Sequence, residues 1–169
     1  MHIQHPKLTH LALLPMTQAD IPQIMAIEVI AYPEPWTEGI FNDCLRVGYS
    51  CWSLKQTNTN SLLGYLIITI AANEMHILNI CIDPKKQGMK LGTALLKQAI
   101  KLGEAMRITS CFLEVRPSNK AALYLYLNNN FKKVGVRKNY YPHGKGREDA
   151  IVMKRRFQQG EIKLIKLRS

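Results

Sequence analysis

Apolar and polar positions along this chain alternate between two rhythms. An apolar-rich stretch from Leu8 to Leu14, stopped by Pro15, predicts a first strand. Thr17, with Asp20 three residues later and then Ile21, Ile24, Ile27 and Glu28, predicts an N-capped amphipathic helix that the segment YPEPW, Tyr32 to Trp36, breaks. Thr37 caps a second, short helix running to about Arg46. Cys51 to Gln56 and Leu62 to Ala71 predict strands around the polar turn TNTNS, most simply a hairpin.

Met75 to Ile82 predicts another strand, and Leu91 to about Arg107 a helix with Leu91, Leu95, Ala99, Leu102 and Met106 on one face. Cys111 to Val115 is strand-like. The helix after it is capped by Ser118 or Asn119 and ends at Asn129-Asn130, where asparagine takes the left-handed conformation. Val134 to Lys138 and Ala150 to Met153 predict the last two strands, separated by a loop, NYYPHGKGRED, whose Pro142, Gly144 and Gly146 resist regular structure. The expected architecture is α/β: a mixed central sheet of six or seven strands flanked by four helices, with parallel pairing where a helix crosses between strands.

Composition narrows the class. The 169 residues are 47% hydrophobic, which predicts one compact domain over 1–169, with a core of about 8–154 and a basic tail at 155–169. The longest apolar run, Leu62 to Ala72, is about half the roughly 20 residues of a membrane span. No export signal is visible at the N-terminus, so no membrane association and a cytoplasmic location are expected. The four cysteines form no CxxC pair and read as reduced, mostly buried side chains; none of the five histidines has zinc-like spacing, so no metal is expected. A net charge of +11 draws anionic partners such as a phosphate-rich cofactor, a ribosome or RNA.

The loop KKQGMKLG, Lys85 to Gly92, joins a strand to a helix. Unpaired N–H groups at a helix N-terminus form an anion site, for which a pyrophosphate is the natural guest, and the nearby lysines add charge. It matches neither GxxxxGK[ST] nor GxGxxG, which disfavours nucleotide hydrolysis and dinucleotide redox chemistry.

The segment HILNICIDPKKQGMKLGTALL resembles the signature of the GCN5-related N-acetyltransferases, whose [RQ]xxGx[GA] loop grips the pyrophosphate of acetyl coenzyme A. Gln87 falls at its first position, Gly92 at its last, and Lys90 where the inner glycine normally sits. In a helical conformation Lys90 fits there without strain, only its side chain swinging aside. Further on, LEVRPSN, LYLYLNNNF and KNYYPHGKGREDAIVM are similar to the bacterial ribosomal-protein-alanine N-acetyltransferases, as is YPEPW; the resemblance spans about Thr17 to Met153.

That resemblance implies the fold of this family, acetyl coenzyme A as co-substrate, and the N-terminal segment of a ribosomal protein as partner. It implies that Ile80, Cys81 and Ile82 offer backbone groups to the pantetheine arm and thioester. Gly88, Met89, Lys90, Leu91, Gly92 and Thr93 would cradle the pyrophosphate, and Asn119 would contact the coenzyme. Glu114 matches the general base and Tyr126 the general acid, while Tyr140 and Tyr141 would lie over a peptide substrate. Trp36 is either a staple under the second helix or part of the substrate wall.

The residues themselves agree with several of these roles. A carboxylate is the right group to deprotonate an ammonium, and Glu114 sits in an apolar strand where an unpaired carboxylate would be costly. Tyr126 is seven residues after Asn119, two helical turns, whereas Tyr124 points away. Other acceptors (protein N-termini in general, a lysine side chain, a small amine) stay open, as does a non-catalytic module that docks on a ribosome or RNA.

Overall fold

The computed structural model describes residues 1–3 and 8–157. Seven strands form one sheet in the order β1-β2-β3-β4-β5-β7-β6. They are β1 (Leu11–Pro15), β2 (Ser50–Gln56), β3 (Ser61–Ala71), β4 (Glu74–Ile82), β5 (Ser110–Val115), β6 (Lys132–His143) and β7 (Gly146–Arg156); the helices are α1 (Ile21–Ala31), α2 (Glu38–Arg46), α3 (Leu91–Ala105) and α4 (Lys120–Leu127). All neighbouring strands run antiparallel except β4 and β5, the pair that α3 crosses between.

Each face of the sheet has its own core. Ile21, Ile24 and Ile27 of α1 and Phe41 of α2 bury against Tyr65, Ile67 and Cys81. On the opposite face Leu91, Leu95, Leu96, Ala99 and Ile100 of α3 and Tyr126 of α4 meet Met75, Ile77, Cys111 and Leu113. The predicted α3 stripe holds for Leu91, Leu95 and Ala99, but Met106 lies past the helix end and is exposed. All four cysteines are free and buried, as expected. Among the described residues no helix is long and apolar enough to cross a membrane.

Local signals account for most element boundaries. Asp20 accepts a hydrogen bond from the Thr17 N–H at 3.0 Å, the Thr37 hydroxyl accepts from Ile40 N, and Asn130 takes φ 63° just after α4. Three expectations need correction. β1 begins at Leu11 rather than Leu8. The core extends past the anticipated boundary to Phe157, which is buried against Gly103; the remainder of the basic tail lies outside the described residues.

The third correction bears on function. NYYPHGKGRED is not an irregular loop but two strand arms closed by a short turn at Gly144-Lys145. β6 is the last strand of the sheet, so Pro142, which has no N–H to donate, is tolerated there. The arm is interrupted by a bulge: Arg137 pairs with Ala150 and Tyr141 with Glu148, so Lys138, Asn139 and Tyr140 stand against Asp149 alone. Asp149 accepts from Lys138 Nζ at 2.8 Å and from Asn139 N at 2.9 Å, and Arg147 donates to the carbonyls of Asn139 and Tyr140. Asn139 adopts φ 51°, in the left-handed region that asparagine tolerates.

Candidate active site

The sheet opens where β4 and β5 part. Their pairing covers only Glu74–Ile77 against Ser110–Leu113. At the next residue of β4, Leu78, a bulge shifts the β3 register: Ile68 pairs with Ile77, but Ile67 pairs with Asn79. The extra residue bends β4 away from β5, and the edges of Asn79–Ile82 and of Glu114–Val115 that would have joined face a cleft. Backbone amides and carbonyls with no ladder partner are ready-made ligand groups. Tyr32 already uses one of them, its hydroxyl lying 3.4 Å from both the Ile80 carbonyl and Asn79 Oδ1.

β3 must come close to hold β4 in this position. A Cβ on Gly64 would stand 2.5 Å from the Cys81 carbonyl oxygen and 2.7 Å from Ile82 Cδ1, so only glycine permits the approach.

The loop after β4 brings the N-terminus of α3 to the cleft. Gln87 Nε2 donates to the Ile82 carbonyl at 3.3 Å, tying the loop back to the strand. Gly88 has φ +75°, and Lys90, the residue at the N-cap of α3, has φ 61° and ψ 14°. Lys90 is therefore left-handed rather than helical, so the condition under which lysine would sit there without strain is not met. Its backbone keeps the conformation that glycine supplies, at a cost on the order of 1 kcal/mol. The first-turn N–H groups of α3 are aimed into the loop, with Lys85 and Lys86 beside it.

Across the cleft stand the titratable groups. Tyr126 is buried, its ring 5.8 Å from Phe131, and burial pushes its phenol well above the ordinary range, with Tyr141, Cys111 and Cys81 as its ionisable neighbours. Tyr124 is exposed, as helical spacing required. Glu114 on β5 pairs with Arg137 Nε at 2.6 Å and receives the Tyr140 hydroxyl, which raises the tyrosine's pKa. The Tyr140 and Tyr141 rings meet edge to face at 4.9 Å. Burial, followed by the Glu114 charge, raises the Tyr141 phenol.

Comparison with known proteins gives the same picture. Residues 21–131 match the model of the "Acetyltransferase (GNAT) family". The chain is 36% identical over 134 residues, 79% of its own length and 89% of the relative's, to the [ribosomal protein bS18]-alanine N-acetyltransferase of Escherichia coli K12. This chain belongs to the GNAT acetyltransferase family. It is thus an acyltransferase. It is also 32% identical over 146 residues (86% of this chain, 95% of the relative) to the putative [ribosomal protein bS18]-alanine N-acetyltransferase of Bacillus subtilis. The crystal structure of the ribosomal-protein-S18-alanine N-acetyltransferase from Escherichia coli superposes with a TM-score of 0.82 at 32% identity, covering 91% of this chain and 98% of that one. Ard1 from Thermoplasma volcanium shares the fold at TM-score 0.79 and 21% identity, covering 89% and 100%.

In this GNAT enzyme the singled-out residues do not all stand alike. Ile80, Cys81 and Ile82 lie on the β4 edge, Gly88 to Thr93 form the loop and first turn of α3, and Glu114, Tyr126, Tyr140 and Tyr141 converge on the cleft. Asn119 caps α4, its Oδ1 accepting from Ala122 N at 3.0 Å, so a coenzyme contact would run through its amide NH2. Trp36 packs on Phe41 at 5.5 Å, one residue before the Thr37 cap and four after it, which is a hydrophobic staple. His76 stacks on Phe112 within the sheet.

Sequence reading passed over Tyr32, Gly64, Arg116, Arg137 and Glu148. It also left Glu28 as a helix-face residue. The buried Glu28 carboxyl accepts from Trp36 N at 2.9 Å and from the Tyr65 hydroxyl, fastening the YPEPW segment to the sheet. A glutamate on the apolar stripe of α1 was the available signal.

Proposed function

We propose that this enzyme transfers the acetyl group of acetyl coenzyme A to the α-amine of the N-terminal alanine of a small-subunit ribosomal protein. The observation that carries this reading is the convergence of Glu114, Tyr126, Tyr140 and Tyr141 on the β4–β5 cleft, in a chain 36% identical to a relative named for that reaction. In this reading the reaction runs in the cytoplasm, where such an acceptor and acetyl coenzyme A meet.

In this reading the pyrophosphate lies against the N–H groups of Gly88 to Thr93, with Asn119 nearby and the pantetheine arm along Ile80 to Ile82. Glu114, held by Arg137 and Tyr140, takes the proton of the acceptor ammonium directly or through one water. The amine nitrogen attacks the acetyl carbonyl carbon, and the resulting oxyanion faces β4 backbone N–H groups. When the C–S bond breaks, the thiolate takes a proton from Tyr126. Burial keeps the Tyr126 phenol protonated but also makes it a weaker acid, so the transfer relies on thiolate and phenol meeting in the same desolvated cleft. Cys81 is no rival nucleophile: burial pushes its thiol up to about 12, so direct transfer without an acyl-enzyme is favoured. Tyr140 and Tyr141 cover the acceptor from one side.

The positive charge suits a substrate found near RNA. Lys132, Lys133, Lys154 and Arg156 line one groove at the β6 edge, without a carboxylate among the lining residues.

Acetyl coenzyme A with peptides differing only at residue one tests the assignment. Alanine, methionine, and blocked alanine with a free lysine would be compared, and the acetyl group located by mass spectrometry. The expected product is acetylated on the alanine α-amine. Modification of lysine alone would overturn the acceptor and leave the coenzyme site standing.

A further inference from the structure

Glu148 takes no part in the chemistry above, yet its carboxylate reaches from β7 to the turn that starts α4. It lies on β7 directly opposite Tyr141. Its carboxylate accepts from the Ser118 N–H at 2.8 Å, from the Ser118 hydroxyl at 3.0 Å and from Arg116 Nη1 at 3.4 Å. Arg116 Nη1 also donates to the Pro142 carbonyl at 2.9 Å, and the guanidinium carbon lies 4.3 Å from the centre of the Tyr141 ring. One ion pair thus joins three segments: the β5–α4 turn, the β6 arm and β7.

Surface ion pairs usually contribute little, because water screens them and long side chains lose freedom. This pair is different in setting, with Arg116 18% and Glu148 15% exposed. Nor does the hairpin need it to form. The β6 bulge is already held by Asp149 and Arg147, whose side chains leave the strand on the face opposite to that of Glu148. The triplet Arg147-Glu148-Asp149 therefore divides its work: the outer two shape the arm, and the middle one fastens it to the turn that starts α4. That helix carries Tyr126, and the arm carries Tyr141.

We infer that Glu148 and Arg116 form a positioning clamp that sets the Tyr141 arm against the start of α4, so that the acceptor amine is held at a fixed distance from the thioester and from Tyr126. The clamp rests on the acetyl-transfer reading for its purpose. Small errors of placement suffice for a large loss, since a misplacement of about 1 Å in a bound reactant costs on the order of 10²-fold in rate.

Glu148→Ala should lower kcat/KM for the alanine peptide by about 10- to 100-fold, with the acetyl coenzyme A dissociation constant within about threefold of wild type, both measured well below the variant's own thermal midpoint. Glu148→Gln, which keeps the shape and an acceptor for the Ser118 N–H, should recover part of the loss. Arg116→Lys keeps the charge but not the planar fork over Tyr141, so it should be nearly as impaired as Glu148→Ala. Because the two act as one unit, the double variant should be no worse than about the poorer single.

Hydrogen exchange gives a readout independent of turnover. In Glu148→Ala the amides of Ser118 and of the Tyr140–Tyr141 arm should exchange faster, with β4 unaffected. Wild-type kcat/KM in Glu148→Ala would overturn the clamp, as would unchanged exchange at Ser118. A loss matched by equally weaker coenzyme binding would reduce the pair to a structural role and equally overturn it. If wild-type protein binds the coenzyme but acetylates no peptide, the acceptor assignment fails, and exchange at Ser118 and Tyr141 still decides the clamp.

Discussion

At the scale of single residues, the decisive quantity is where a proton resides. Glu114 and Tyr126 approach the cleft from different elements, one as a partly exposed carboxylate tied to Arg137, the other as a buried phenol. Glu114→Gln should lower kcat by about 10² to 10⁴-fold with coenzyme binding intact, and Tyr126→Phe should slow turnover to a similar degree. Pre-steady-state measurements on each variant check this; unchanged turnover across pH in Glu114→Gln would remove that residue from the mechanism. Lys90 makes a separate case. Its left-handed backbone predicts that Lys90→Gly gains up to about 1 kcal/mol of stability. The lost charge should weaken coenzyme binding a few-fold at low salt, corresponding to roughly 0.3–1 kcal/mol. Denaturant titration and calorimetric binding separate the two effects, and a destabilised variant would contradict the conformational argument. Position alone identified Lys90 as the departure from the family loop; its conformation depends on how the chain enters α3.

At the scale of elements, β4 organises the site by leaving its partner. The bulge at Leu78 frees the edge that faces the cleft, and Gly64 keeps β3 near enough to support it. Gly64→Ala should cost about 1–3 kcal/mol, because the new methyl meets a backbone carbonyl that moves only with the strand. Since that carbonyl belongs to Cys81, coenzyme affinity should fall with stability; a variant with wild-type unfolding midpoint and affinity would show that β3 and β4 separate freely. The strand itself was legible as the apolar run Met75 to Ile82, but the bulge was not, because a register shift is a property of two strands together. The β6–β7 arm was misjudged for a related reason. Pro142, Gly144 and Gly146 are strong local turn signals, and they are accommodated because β6 is an edge strand. α4 shows the opposite outcome: spacing from Asn119 selected Tyr126 over Tyr124, and burial agrees.

At the scale of the whole molecule, charge and burial set the response to conditions. Burial, partly offset by hydrogen bonds from Trp36 and Asn79, pushes the Glu28 carboxyl up from 4.5 to about 7. The native state keeps a proton that the unfolded chain has released in that interval, so this contribution to stability falls as pH rises from about 4.5 to about 7. Glu28→Gln should flatten that slope when midpoints are recorded from about pH 5 to about pH 7. A slope as steep as wild type would mean that Glu28 is ionised in the native protein. Asp20 acts in the opposite sense. Burial raises its pKa, but the hydrogen bonds from Lys55, Thr17 and Ser53 outweigh that and hold it below 3.8, so its contribution is lost only in acid. The net charge of +11 adds an expectation for kinetics: coenzyme association should slow as ionic strength rises, with the chemical step unaltered.

The amino-acid sequence by itself determined the order of strands and helices and most of the faces they bury. Both depend on periodicity, caps and spacing within a few turns of chain, and such short-range constraints are written locally. Only the tertiary structure decided the parting of β4 from β5, the conformation of Lys90, the fastening of Trp36 by Glu28 and the link from Glu148 to Ser118. Each joins segments far apart in sequence or depends on how two strands slide past one another. Local pattern cannot encode such a contact, because its energy exists only once both partners have been brought together by the rest of the fold.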